Sequence, residues 1–144
     1  MDKSHESENL YWMLLQVALR SKHGLMKMAD LSGLSIMQMQ TLCTMTPREP
    51  IPMNTISCFL ACDRSNVTGI VDRLLAQGYI AREEKPDDRR VKMITLTLKG
   101  EKLRSELLNS LSEYELPEFK RLTSEQQKQL SSILYTILQP PSIT

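Results

Sequence analysis

Histidine, cysteine and glycine are too scarce in this chain, and too scattered, for most kinds of catalysis. His5 and His23 stand alone among 144 residues, so imidazoles, thiols and carboxylates nowhere reach the spacing of a metal site. Cys43, Cys58 and Cys62 are odd in number and scattered, which excludes a disulfide scaffold and reads as a reduced, cytoplasmic protein. The five glycines form no phosphate-cradling loop. Long apolar runs are also missing. The longest, Leu10–Leu15, resumes after Gln16 only as far as Leu19, well short of the roughly 20 residues that span a bilayer. The polar lead DKSHESEN has none of the character of a signal peptide. No enzyme, metal, cofactor or membrane segment is therefore expected.

Net charge is small too, only +1, but it is unevenly spread. From Arg64 to Arg104 ten Lys/Arg face six Asp/Glu, whereas the remainder has eight against eleven. The positive excess coincides with the most patterned part of the chain, Asp63–Gly100. There Val67, Ile70, Val71, Leu74 and Leu75 make one apolar helical face. Ser65, Asn66, Thr68, Asp72, Arg73 and Gln77 form the opposite, polar face. Asp63 is placed to cap the helix start with its carboxylate, and Gly78 fits the left-handed position past its end. Tyr79–Lys85 and Val91–Thr97 then read as two strands around a Pro-Asp-Asp-Arg-Arg turn. A helix followed by a cationic hairpin suits double-stranded DNA, because the helix fits the major groove and arginines on a narrow tip reach the minor groove.

The rest of the chain reads as helices. Residues 1–7 are polar and expected to fray. Glu8 to about Ala29 is helical and apolar nearly all round over Leu10–Leu19, so it needs cover on most sides. Either a partner subunit or the core of a monomer supplies it. Ser35 caps a second helix to about Met45, and TPREPIP, with three prolines, is a loop. A short helix near Met53–Ala61 precedes the patterned helix, and two helices joined by so short a turn are the helix-turn-helix signature. Thr97 caps a helix to about Leu116 with Leu103, Leu107, Leu111 and Tyr114 as its stripe. Thr123-x-x-Gln126 opens a last one with Leu130, Ile133, Leu134, Ile137 and Leu138. The fold class is mainly α with a small β-hairpin wing (α+β), a winged helix-turn-helix between terminal helices.

VTGIVDRL, the QGYI that ends the helix, and PDDRR followed by LTLKG resemble the MarR (multiple antibiotic resistance regulator) family of bacterial transcription factors, and order and spacing match over nearly the whole chain. The resemblance implies one unit over 1–144, with a DNA-reading part at 35–99 and dimerisation helices at 8–31 and 100–139 that interdigitate with a second subunit. A two-fold dimer sets two recognition helices about 34 Å apart on a pseudo-palindromic operator. It further implies a repressor, relieved by a small amphipathic or phenolic effector.

Candidate DNA contacts are Arg64, Ser65, Asn66, Thr68 and Arg73 on the recognition helix and Asp88, Arg89, Arg90 and Lys92 in the wing. By resemblance, Asp88 holds Arg90 at the tip. Gly69 stands on the same face where many relatives carry arginine, which thins base readout. The effector pocket would draw on Trp12, Met13, His23, Met26 and Met39, although side chains of these types are as often plain core. Some relatives sense oxidants through a first-helix thiol, which this chain lacks; Cys58 and Cys62, flanking the turn, are the redox candidates. The rival readings are a ligand-independent regulator or activator, and a winged protein-interaction module that binds no DNA.

Overall fold

The computed structural model describes residues 3–60 and 62–139, without the side chains of 3–8 and Arg64. The described residues form six helices and a small sheet: α1 Lys3–Ser32, α2 Ile36–Thr44, β1 Ile51–Pro52, α3 Met53–Leu60, α4 Arg64–Ala76, β2 Ile80–Lys85, β3 Asp88–Leu96, α5 Leu98–Leu111 and α6 Ser124–Leu138, with 3-10 turns at Ser112–Tyr114 and Pro117–Arg121 between the last two. The expected caps form at three starts. Ser35 and Gln38 make a reciprocal capping box on α2, Thr123 and Gln126 make another on α6, and Thr97 accepts from Gly100 on α5.

Several boundaries differ from the sequence reading. The first helix already begins at Lys3, within the segment expected to fray. Asp63 precedes α4 in an extended conformation, yet its side chain makes no capping bond; only its backbone oxygen accepts, from Val67. The long C-terminal helix stops at Leu111 rather than near Leu116. Ser110 and Ser112 turn their hydroxyls back onto the carbonyls of Glu106 and Asn109, and Pro117 forces Leu116 into an extended conformation. The proline loop also yields a strand that two residues could not announce. Ile51 and Pro52 pair with Ile94 and Met93, giving the antiparallel order β1-β3-β2. A proline is tolerated there because β1 is an edge.

The core lies inside the winged unit. Leu42, Met45, Ile56, Val67, Val71, Leu74 and Ile94 lose essentially all exposure, bringing α2, α3, α4 and β3 onto one apolar centre. Each such aliphatic contributes on the order of 1.5–3 kcal/mol, and together they hold α4 with its other face outward. The terminal helices contrast with this. No residue of α6 is buried, and α1 leaves Leu10, Tyr11, Trp12, Met13 and Leu19 more than half exposed. Among the described residues no helix is long and apolar enough to cross a membrane.

Candidate nucleic-acid interface

Helix α4 turns Val67, Ile70, Val71 and Leu74 into the core and leaves Ser65, Asn66, Thr68, Gly69, Asp72 and Arg73 exposed. The polar residues of its first two turns thus share one outward face, as the spacing predicts. Arg64 opens the helix, but its side chain lies outside the described residues. Nothing lies within 4 Å of where a Cβ on Gly69 would stand, so that position is open on the same face.

The wing is tighter than the sequence suggests. Lys85 pairs with Asp88, so the turn is Pro86–Asp87 alone and Arg89 and Arg90 already belong to β3. Asp88 Oδ1 accepts from the Arg90 backbone amide at 3.0 Å. The aspartate therefore fixes the tip backbone, whereas the resemblance implied that it holds the arginine itself. Lys92 Nζ meets Glu84 Oε1 at 2.8 Å across the strands, and Arg82 meets Asp72 at 3.4 Å, tying β2 to α4. These exposed pairs set geometry more than they add stability.

Recognition helix and wing flank one cleft of about 620 Å³. Val67 and Thr68 of α4, Met53, Asn54 and Ser57 of α3, and Lys85, Arg90 and Lys92 of the wing line it. Thr68 of the polar helix face and three wing cations thereby converge on the same opening, while Ser65 and Asn66 lie outside it on the exposed face. Arg73 is exposed on the last turn of α4, and Arg89 at the tip; neither lines the cleft.

Other candidate residues are not brought together. Met39 is core at 3 % exposure, while Trp12, Met13, His23 and Met26 stand exposed on α1. None of the five lines a second cleft of about 450 Å³ that Ser21, Gly24, Leu25 and Met28 of α1 form with Tyr114 and Phe119. Gly24, on its wall, lacks a side chain and so lets Tyr114 approach; a Cβ there would stand 2.8 Å from the Tyr114 Cβ. Sequence reading passed over it because a lone helical glycine carries little signal. Among the described residues no group of His, Cys, Asp and Glu is arranged to hold a metal.

The thiols differ in setting. Cys58 is exposed on α3, and Cys62 is half-buried in the turn. Burial pushes the Cys43 thiol above its ordinary range, against the opposing pull of the Arg104 charge. A higher pKa leaves less thiolate, the reactive form, at neutral pH. Cys58 should accordingly react with a disulfide reagent at pH 7.5 at least about tenfold faster than Cys43, and unfolding should abolish the difference. Equal native rates, followed by peptide mapping, would contradict this placement.

Comparison with known proteins agrees with this geometry. Residues 34–92 match the model of the MarR family. The transcriptional repressor MprA of Escherichia coli K12 is 34 % identical over 84 residues, 57 % of this chain and 48 % of MprA. The HTH-type transcriptional regulator BilQ of Clostridium symbiosum is 29 % identical over 79 residues, 55 % of each chain. The chain thus spans about half the length of the curated relatives it matches. Among solved structures, CouR from Rhodococcus jostii RHA1 bound to p-coumaroyl-CoA superposes with a TM-score of 0.75 at 22 % identity, covering 96 % of this chain and 97 % of CouR. Apo MarR from E. coli gives 0.74 at 21 % identity over 90 % and 96 %. At these identities the structural likeness speaks for the fold.

Proposed function

We propose, since residues 34–92 of this chain belong to the MarR family, that it is a transcription regulator binding double-stranded DNA sequence-specifically as a homodimer. One observation carries this reading: Thr68 from the polar face of α4 and the wing cations Lys85, Arg90 and Lys92 open onto a single cleft. In that arrangement Ser65, Asn66 and Thr68 read or position bases in the major groove, with Asn suited to adenine. Arg64 and Arg73 meet phosphate. Arg90 and Arg89 reach the minor groove, with Asp88 shaping the tip and Lys92 facing the backbone. The reading unit is 35–99, and 8–31 with 100–139 form the dimerisation helices; the exposed apolar faces of α1 and α6 support that division.

The regulator acts in the cytoplasm on a pseudo-palindromic operator; the name of MprA supports repression there, and the ligand bound to CouR supports release by a small amphipathic molecule. Such a ligand acts only if it favours a helix spacing that misfits DNA. The α1 cleft, in the size range of small-molecule pockets, and the exposed Trp12, Met13, His23 and Met26, completed by a partner's helices, are its seats.

Salt tests the reading. On a duplex recovered by selecting genomic fragments with the purified protein, log Kd against log salt should have a slope of roughly 4 or steeper, because each phosphate contact contributes about 0.9. Arg90→Ala should weaken binding at least about tenfold, or about 1.4 kcal/mol, with an unchanged circular dichroism spectrum. It should flatten the slope less than Lys92→Ala does, whose loss of two phosphate contacts per dimer should lower the slope by about 1.8. Unchanged affinity would remove the wing from the mechanism. Salt-insensitive duplex binding alongside firm capture of a protein partner would favour an interaction module instead.

A further inference from the structure

The far end of the recognition helix is held by a set of contacts that the DNA-facing residues do not share. Helix α4 exits through Gln77 and Gly78, the latter at φ +75°. Three successive carbonyl oxygens follow, and each is taken by the start of α5. Lys99 Nζ donates to Gln77 O at 2.7 Å, Thr97 Oγ1 to Gly78 O at 2.6 Å, and Thr97 N to Tyr79 O at 3.0 Å. The Thr97 hydroxyl also accepts from Gly100 N at 3.0 Å, so one oxygen joins the exit of α4 to the first turn of α5. Lys99 Nζ lies 4.7 Å from the Tyr79 ring centroid as well. From the other side Gln38 of α2, itself only 5 % exposed, reaches the Gln77 side chain at 3.4 Å.

The chain between these partners runs out through both wing strands and back, so the junction short-circuits the sheet. It fastens the recognition helix directly to α5. Lys99 suits this place in three respects: it meets a helix-end carbonyl, it faces the negative end of the α4 dipole, and its charge sits on an aromatic face. Yet Lys99 is exposed and adds nothing to the core. It stands at the opposite end of a 13-residue helix from Ser65, about 18 Å away at 1.5 Å per residue.

We infer that Lys99, with Thr97, is a positioning residue that fixes the angle of the recognition helix on α5 and thereby sets the half-site spacing the dimer accepts. The inference rests on the DNA-binding reading above. Two recognition helices rigidly carried on their dimerisation helices tolerate little change in spacing, whereas a base-pair step displaces a half-site by about 3.4 Å. Releasing the joint should let α4 rock and follow.

The test uses the full-length protein and three duplexes: the selected operator and versions with one base pair added or removed between the half-sites. Lys99→Met keeps the stem over Tyr79 but lacks charge and donor. Its preference for native over altered spacing should fall at least about threefold, with melting temperature and dimer mass kept. Lys99→Arg should restore the preference, and Thr97→Val, which retains Lys99, should lower it in the same direction. Equal weakening on all three duplexes, or no change, would overturn the inference while leaving DNA binding intact. Failure of the unmodified protein to bind any duplex would instead overturn the reading beneath it, and the inference with it.

Discussion

Ile133→Glu on α6 is expected to convert a dimer to a monomer and to weaken operator binding by roughly two to four orders of magnitude. Helix α6 has an apolar side that its own chain does not cover. Ile133, Tyr135, Ile137 and Leu138 are 58 %, 69 %, 60 % and 76 % exposed, and no residue of the helix is buried. Trp12 and Met13 of α1 are likewise 56 % and 58 % exposed. Large apolar areas left open in this way mark association surfaces. In a two-fold dimer one substitution appears twice, and each glutamate would lose its water without gaining a partner. The winged unit should fold as before, because its core draws nothing from α6. What disappears is the tethering of two reading heads, whose effective concentration supplies about 10²–10⁴ in avidity. Light scattering and duplex titration read the two effects separately. A variant that keeps twice the chain mass would place the dimer surface elsewhere, and a monomer of undiminished affinity would mean that one head suffices.

The winged unit was legible because its residues obey a period. Val67, Ile70, Val71 and Leu74 are apolar at helical spacing, and all four are buried. Ser35–Gln38 and Thr123–Gln126 satisfy backbone donors through side chains alone, so these starts can be read without tertiary knowledge. The misses have the opposite character. β1 is two residues long and exists only because Ile94 and Met93 lie beside it; no local pattern encodes such a pairing. Asp63 has the chemistry of a cap but leaves it unused. The wing tip depends on where cross-strand pairing stops, which PDDRR does not state; pairing through Asp88 moves Arg90 from turn to strand. The joint at Gln77–Tyr79 and Thr97–Lys99 spans some 20 residues. Its members look individually like ordinary cap and surface residues.

Gly100 gives the sharpest test of that joint, because two effects of opposite sign compete there. By helix propensity alone, Gly100→Ala in the first turn of α5 should stabilise by up to about 1 kcal/mol. Packing opposes it. A Cβ on Gly100 would stand 1.9 Å from the Tyr79 carbonyl oxygen and 2.9 Å from its carbon. These are backbone atoms, and Thr97 N holds the same oxygen at 3.0 Å, so no side chain can rotate away. Either α5 or the exit of α4 has to move, which typically costs about 1–3 kcal/mol and occasionally more. With a backbone contact this close the steric term should win, and the net loss of up to about 2 kcal/mol should lower the melting temperature by up to about 8 °C. Gly69 is the control on the same scale, since nothing lies within 4 Å of its Cβ position. Gly69→Ala should therefore raise stability by up to about 1 kcal/mol. If Gly100→Ala melts at or above the unmodified protein, Tyr79 does not press on α5 as described, and the recognition helix is free to move where the structure holds it fast.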